Sequence, residues 1–322
     1  MRKVPYRYIS NAVSKFKLRL KVITMKTIAR TASGVSDASR TTLVAAFGLL
    51  ALSLPTLSMA QSNSPWLPIP SSGAVGLSYV TQRADTAYIG DKNMPISAIT
   101  GGAAQRYNND SYALNFLYGV SDSVSVDARI GGASVEIGAA DKSSGQSDSV
   151  IGVNWRVLDE YESRGLPTVT LRLTGILSGG YDGARLASLG KAASGHSLSV
   201  LVGKQVTPAV RLWAGLGSES RSNGVPDATF IDLNAAYAIT PQLAASLGYT
   251  NKKFGGSLDI GGPGFSPAAF QQVREERETV RVGVSYAIGR NQSVAVNAAQ
   301  VVNGRNTVKD DLVLGLSYSF GF

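Results

Sequence analysis

The stretch LVLGLSYSFGF, residues 312–322, closes the chain with a large apolar or aromatic side chain at every second position. On a β-strand successive side chains point to opposite faces. Leu314, Leu316, Tyr318, Phe320 and Phe322 therefore share one face, and Gly315, Ser317, Ser319 and Gly321 the other. In water, a last strand with one greasy face and one small, polar face is a sticky edge. Either something buries that face or its solvent is lipid.

The same alternation recurs upstream in segments of about ten residues, the period expected of a transmembrane β-barrel. Clear outward-facing sets are Val124/Val126/Ala128/Ile130, Ile151/Val153/Trp155/Val157, Val169/Leu171/Leu173, Ile231/Leu233/Ala235/Tyr237/Ile239 and Val280/Val282/Val284/Tyr286/Ile288. After residue 60 no apolar run is long enough for a membrane-spanning helix. Tight connections at 121–123, 207–208, 240–241 and 289–291, with a longer one at 158–167, alternate with long Gly-, Asn- and Asp-rich links, notably 84–109, 179–194 and 252–276. Short turns at one rim and long loops at the other are typical of outer-membrane barrels, whose turns face the periplasm. The expected fold is all-β, an antiparallel transmembrane β-barrel of about 12 strands spanning residues 73–322. In lipid only ring closure satisfies every strand edge, so the last strand is expected to pair with the first, near Gly73 to Arg83.

The chain has 322 residues with 35 glycines, no cysteine and 16% charged residues. Absent cysteine rules out disulfides and cysteine-based zinc sites. The formal charge of +9 is confined to the front. Ten of the 31 Lys and Arg residues, but one of the 22 acids, lie in residues 1–40, which leaves 21 of each beyond. A neutral body offers no footprint for phosphates, so nucleic acid is not an expected partner. The basic front leads into an apolar run from Leu43 to Leu54, then Pro55 and Ser58-Met59-Ala60. This order predicts a secretory signal peptide over residues 1–60, with Met25 as an alternative start. A Pro/Ser-rich periplasmic segment, residues 61–72, is expected to follow.

If the apolar parity faces lipid, the other parity faces the lumen, and charges gather there: Asp127, Arg129, Arg156, Arg172, Arg211, Asp232, Arg281, Lys309 and Asp311. Each would cost several kcal/mol facing mid-membrane lipid. They can line a selective pore, or pair with one another and fill a narrow interior, because twelve strands enclose far less space than a wide porin. Within 252–276, Ser266 and Pro267 suit the start of a short helix carrying Phe270 and Val273 on one face, either a lid or a solvated loop helix. GGPGFSP before it reads as a hinge and lacks the Lys and Ser/Thr of a phosphate loop. The single histidine, His196, sits beside Ser197 and Ser199 near the outer rim; with no third group to orient it, it is weak support for a hydrolase.

The mature chain, from about Gly73, resembles the outer-membrane barrels labelled for the meta-pathway of phenol degradation. The resemblance is carried by GAVGLSYVTQR, by DSVIGVNWRVLDE followed by TVTLRLTGI, by HSLSVLVGKQVTP with RLWAGLG, and by AYAITPQLAASLGY. It implies a passive conduit for small, often aromatic or hydrophobic, compounds and transfers no binding residues. The expected function is an outer-membrane channel that is not an enzyme and uses no cofactor or metal, for a permeant that remains unnamed. The alternative is a non-conducting structural or adhesive barrel. Outer-membrane lipid and the barrel-assembly machinery are the expected partners. That machinery would read Leu314, Leu316, Tyr318, Phe320 and Phe322 as its assembly signal.

Overall fold

The computed structural model describes residues 63–163, 165–309 and 311–322. The expected signal peptide and the alternative start at Met25 lie outside the described residues. Twelve antiparallel strands form the barrel. They are β1 (Gly73–Ala84), β2 (Tyr107–Gly119), β3 (Val124–Ile137), β4 (Ser149–Leu158), β5 (Thr168–Leu177), β6 (Gly195–Thr207), β7 (Val210–Arg221), β8 (Ala228–Ala238), β9 (Leu243–Phe254), β10 (Glu276–Ala287), β11 (Gln292–Arg305) and β12 (Leu312–Gly321). Each pairs with its neighbours in sequence, and β12 pairs with β1 from Ala74↔Gly321 to Arg83↔Leu312, closing the ring. Reciprocal backbone bonds of 2.9 Å between Gly73 and Phe322 complete the seam. The first and last strands of the ring thus have no open edge, which answers the hazard posed by the last strand.

The exposed face carries the expected sets. Leu77, Leu114, Ile130, Trp155, Leu173, Leu216, Leu247, Val282 and Val296 are all exposed, as are Leu314, Leu316, Tyr318, Phe320 and Phe322. In water so continuous an apolar girdle would be strongly unfavourable; against lipid it is the ground state. On the opposite parity Ser125, Asp127, Asn154, Thr170, Arg172, Ser199, Asp232 and Ser317 are buried. Among the described residues no helix is long and apolar enough to cross a membrane.

The two rims differ. Turns at 120–123, 208–209, 239–242 and 288–291 are tight, with 159–167 longer. The other rim carries loops that fold into a cap. Thr86–Ile89, Lys92–Pro95 and Val308–Lys309 form a three-stranded sheet, followed in sequence after Pro95 by the one-turn helix Ile96–Ile99. The upper part of β3 leaves β4 after Arg129 and pairs from Gly132 to Ile137 with a hairpin strand, Asp141–Gln146. Beneath these loops Ala87, Ile96, Ala104, Val135, Ile137 and Ala187 make one buried apolar cluster. Ala193, Val225, Ala228 and Phe254 make a second. Alternation does not reveal such a cap, because its strands are two to six residues long.

Residues 63–72 depart from the reading as a segment outside the barrel. At Ser71, whose φ of 62° lies in the left-handed region, the chain reverses. The reversal is fixed by Ser71 N–H to Gly119 O (2.8 Å) and Gly119 N–H to Ser72 O (2.9 Å). The preceding residues then run up inside the barrel, where Pro65 is fully buried. The physical reason is that a Pro-rich stretch has few backbone donors to satisfy, so it can enter a partly dry lumen at low cost.

Candidate functional site

The lumen is built in two parts. In the short-turn half the N-terminal segment lies within it. Thr170 Oγ1 donates to the Pro65 carbonyl (2.6 Å), and Trp66 Nε1 donates to Glu160 Oε1 (2.9 Å). The Trp66 ring meets Trp213 edge to face at 5.9 Å, with the Arg211 guanidinium 5.5 Å from its centroid. Asn63 reaches mid-barrel, where its Nδ2 donates to Asp232 Oδ2 at 3.0 Å. Gly203 on β6 makes room for the segment: a Cβ there would sit 2.5 Å from Pro65 Cγ and 2.8 Å from Trp66 Cη2.

Beside the segment lies a buried polar network. Arg172 grips Asp127 with both terminal guanidinium nitrogens, at 2.9 and 2.8 Å. It also donates to Asn154 Oδ1 (3.1 Å) and Thr174 Oγ1 (3.1 Å). Asn154 in turn donates to Asp127 Oδ1 at 2.9 Å. The pair is 6% and 9% exposed, so both charges have left bulk water and each depends on the other. Arg281 lies higher on the wall and donates to Thr250 Oγ1 (2.9 Å) and Asn234 Oδ1 (3.2 Å), while Thr250 donates to Asp232 Oδ1 (2.6 Å).

Of the remaining charges expected to line the lumen, Arg129 keeps the inward parity of Asp127 and the other three fall elsewhere. Arg156 lies at the turn rim, paired with Asp159 at 2.9 Å. Arg129 is exposed and has no ion pair among the described residues. Lys309 sits in the small sheet of the cap, paired opposite Thr86, and Asp311 accepts from the Asp85 N–H at 2.9 Å, so neither lies on a barrel strand. They fail the expectation because the barrel part of β12 begins only at Leu312. Glu219, Arg221, Lys252 and Arg277 also reach the inner wall although alternation did not single them out; they lie near the loop-rim ends of their strands.

In the loop half two cavities adjoin. The upper one, of about 350 Å³, lies within the cap between Ile96, Ile137, Leu186, Leu189 and Phe270. The lower one, about 320 Å³, opens between Thr250, Lys252, Thr279 and Arg281. Gln82, Glu275 and Arg277 line both. The predicted short helix forms as a 3₁₀ turn over Pro267–Gln272, and its N-cap Ser266 makes no side-chain capping bond. Phe270 lines the upper cavity, which gives the turn a lid's position, while Val273 is buried below it.

Ion pairs clasp the cap. Lys191, from the 178–194 loop, bonds Glu275 at 2.5 Å and lies 4.6 Å from the Phe254 ring centroid. Burial alone would raise the Glu275 carboxyl, but the Lys191 ammonium and Arg277 hold it below the usual carboxylate range. Arg185 pairs with Asp141 and Arg305 with Asp259, and each guanidinium depresses its partner's pKa through the hydrogen bond. Arg221 joins Asp148 (2.6 Å) to Glu219 (2.6 Å), and Lys252 takes the second Glu219 oxygen at 2.8 Å. Tyr181 donates to Asp148; burial and that carboxylate push its phenol up. His196 is exposed on the outer face while Ser197 and Ser199 are buried on the inner face, so no nucleophile and base meet there. Among the described residues no cluster of His, Cys, Asp and Glu could hold a metal ion.

An outer membrane channel from Pseudomonas putida F1 superposes on this structure with a TM-score of 0.63 at 15% identity, over 80% of this chain and 98% of that one. The likeness is one of fold. The NanC porin (TM-score 0.47, 10% identity, 76% and 98% covered) and the translocator domain of the autotransporter NalP from Neisseria meningitidis (0.47, 8%, 87% and 98%) are more distant. No family model matches the chain, and no curated protein matches it. The phenol-degradation resemblance therefore stays an expectation from sequence.

Proposed function

We propose that this chain is a channel of the bacterial outer membrane that admits small solutes without energy input, narrowed from inside by its own N-terminal segment. The observation that carries this reading is the pair of adjoining cavities, which lead from the loop cap to the inner wall at Thr250 and Arg281, where Thr250 shares Asp232 with Asn63 of the N-terminal segment. The short-turn rim would face the periplasm, so the segment would control release on that side. Along the wall Arg129, Arg211, Arg277, Arg281 and Lys252 outweigh Asp232 and Glu219, which favours anions over cations. In planar bilayers the purified protein is expected to show small, anion-preferring conductance, and removal of residues 63–69 should enlarge it several-fold. Absence of conductance in both forms, together with no liposome uptake of apolar solutes, refutes the proposal.

The second reading, a sealed structural or adhesive barrel, is favoured by one observation: Asp127 and Arg172 are paired and nearly dry, as a filled interior requires. The double substitution Arg172→Gln with Arg211→Gln separates the two. Both forms lose stability as the buried Asp127 charge is stranded, but a sealed barrel passes no current with or without the substitutions, whereas an open channel changes its ion selectivity. The apposition of His196 and Ser197 on opposite faces gives the hydrolase no support.

A further inference from the structure

We infer that the two adjoining cavities form one capture site for a small organic anion with an apolar body, an aromatic or alicyclic monocarboxylate. The inference rests on the channel reading for its place in transport but not for its chemistry. The upper cavity is walled by Ile96, Leu189 and Phe270 and is large enough, at about 350 Å³, for a single-ring body. Directly beneath, the lower cavity presents Lys252, Arg277 and Arg281. Its one lining carboxylate, Glu275, holds Lys191, and the nearby carboxylates are engaged too: Glu219 holds Lys252 and Arg221, and Asp232 accepts from Asn63 and Thr250. Arg281 alone among those three cations is held only by neutral oxygens, those of Thr250 and Asn234, and makes no ion pair among the described residues. A guanidinium so placed binds a carboxylate in fork geometry with little rearrangement. Because Gln82, Glu275 and Arg277 line both spaces, a solute with its ring in the upper cavity can set its charge into the lower. A simple inorganic anion uses only half of this site, and a neutral hydrocarbon only the other half.

The test is calorimetric titration of the purified full chain with sodium benzoate, sodium acetate and benzyl alcohol. Benzoate should bind about tenfold more tightly than either of the others, since each lacks one half of the interaction. Arg281→Gln should bring benzoate down to the level of benzyl alcohol, and Leu189→Asn should weaken benzoate and benzyl alcohol together while leaving acetate unchanged. Heat-modifiable gel migration checks that each variant remains a barrel, and the comparison of three ligands on the unaltered protein stands without any variant. Benzoate binding no tighter than acetate, or no tighter than benzyl alcohol, overturns the inference. Titration requires no current, so benzoate binding with neither conductance nor liposome uptake refutes the channel reading alone, and conductance without benzoate preference refutes the capture site alone.

Discussion

Arg172 and Arg129 have the same side-chain chemistry and, on adjacent stretches of inner wall, different work. Arg172 is 6% exposed and its whole fork is spent on Asp127, Asn154 and Thr174, whereas Arg129 is exposed and lacks an ion pair among the described residues. Deleting one member of a buried ion pair strands the other charge in a dry place, at a cost of about 3–5 kcal/mol. Arg172→Ala is therefore expected to unfold at markedly lower urea concentration than the parent, and Arg129→Ala at nearly the same concentration. Equilibrium unfolding followed by gel migration measures both; equal midpoints for Arg172→Ala and the parent would show that Asp127 finds water or another partner. Neither charge could be graded from sequence, because alternation tells inside from outside but not which neighbours stand across the lumen.

The N-terminal segment and the last strand are the two elements whose roles depend on the ring being closed. Gly203 leaves the space that Pro65 and Trp66 occupy, so Gly203→Val is a way to evict the segment without shortening the chain. The expected result is a conductance close to that of the form lacking residues 63–69, with Trp66 emission shifted to the red. Unchanged conductance would mean that the segment can be accommodated elsewhere in the lumen. At the seam, Phe322 exchanges backbone bonds with Gly73 and its ring stacks on Phe116 at 6.5 Å. Its proposed place in an assembly signal predicts that deleting Phe322 leaves unassembled protein in the periplasm, yet permits refolding in detergent with nearly normal stability. Normal assembly in cells removes the signal argument. Failure in detergent as well makes the residue a structural clamp, a reading that the two seam bonds strengthen.

For the molecule as a whole, the cap over the loop rim should respond to pH in one direction. The carboxyls of Glu275, Asp141 and Asp259 are all depressed by their basic partners. Their stabilisation is thus present above the unfolded carboxylate range, about pH 4, and is lost as pH falls through the lower folded values. Conductance should be steady between about pH 5 and 8 and become larger and noisier below about pH 4. Glu275→Gln should show part of that behaviour at neutral pH by releasing Lys191 and the loop it anchors. A cap that stays quiet at pH 3 would show that its apolar clusters around Val135 and Phe254 hold it without the ion pairs.

Alternation alone established the number of barrel strands, their lipid face, the two kinds of rim and the meeting of the last strand with the first. It could do so because a membrane enforces the same rule on every strand: apolar out, polar in, no free edge. LVLGLSYSFGF carries that rule in eleven residues. Nothing comparable governs the interior. Residues 63–72 look like a link by composition, and only the closed ring, with Gly203, Trp213 and Asp232 facing inward, makes a lumen that they can fill. Lys309 and Asp311 follow the right parity but sit above the wall, because parity carries no information about height. The cavities need Ile96, Leu189 and Phe270 from three loops with no common period. They meet through tertiary packing, where side chains from distant segments compete for one space and sequence distance has no say.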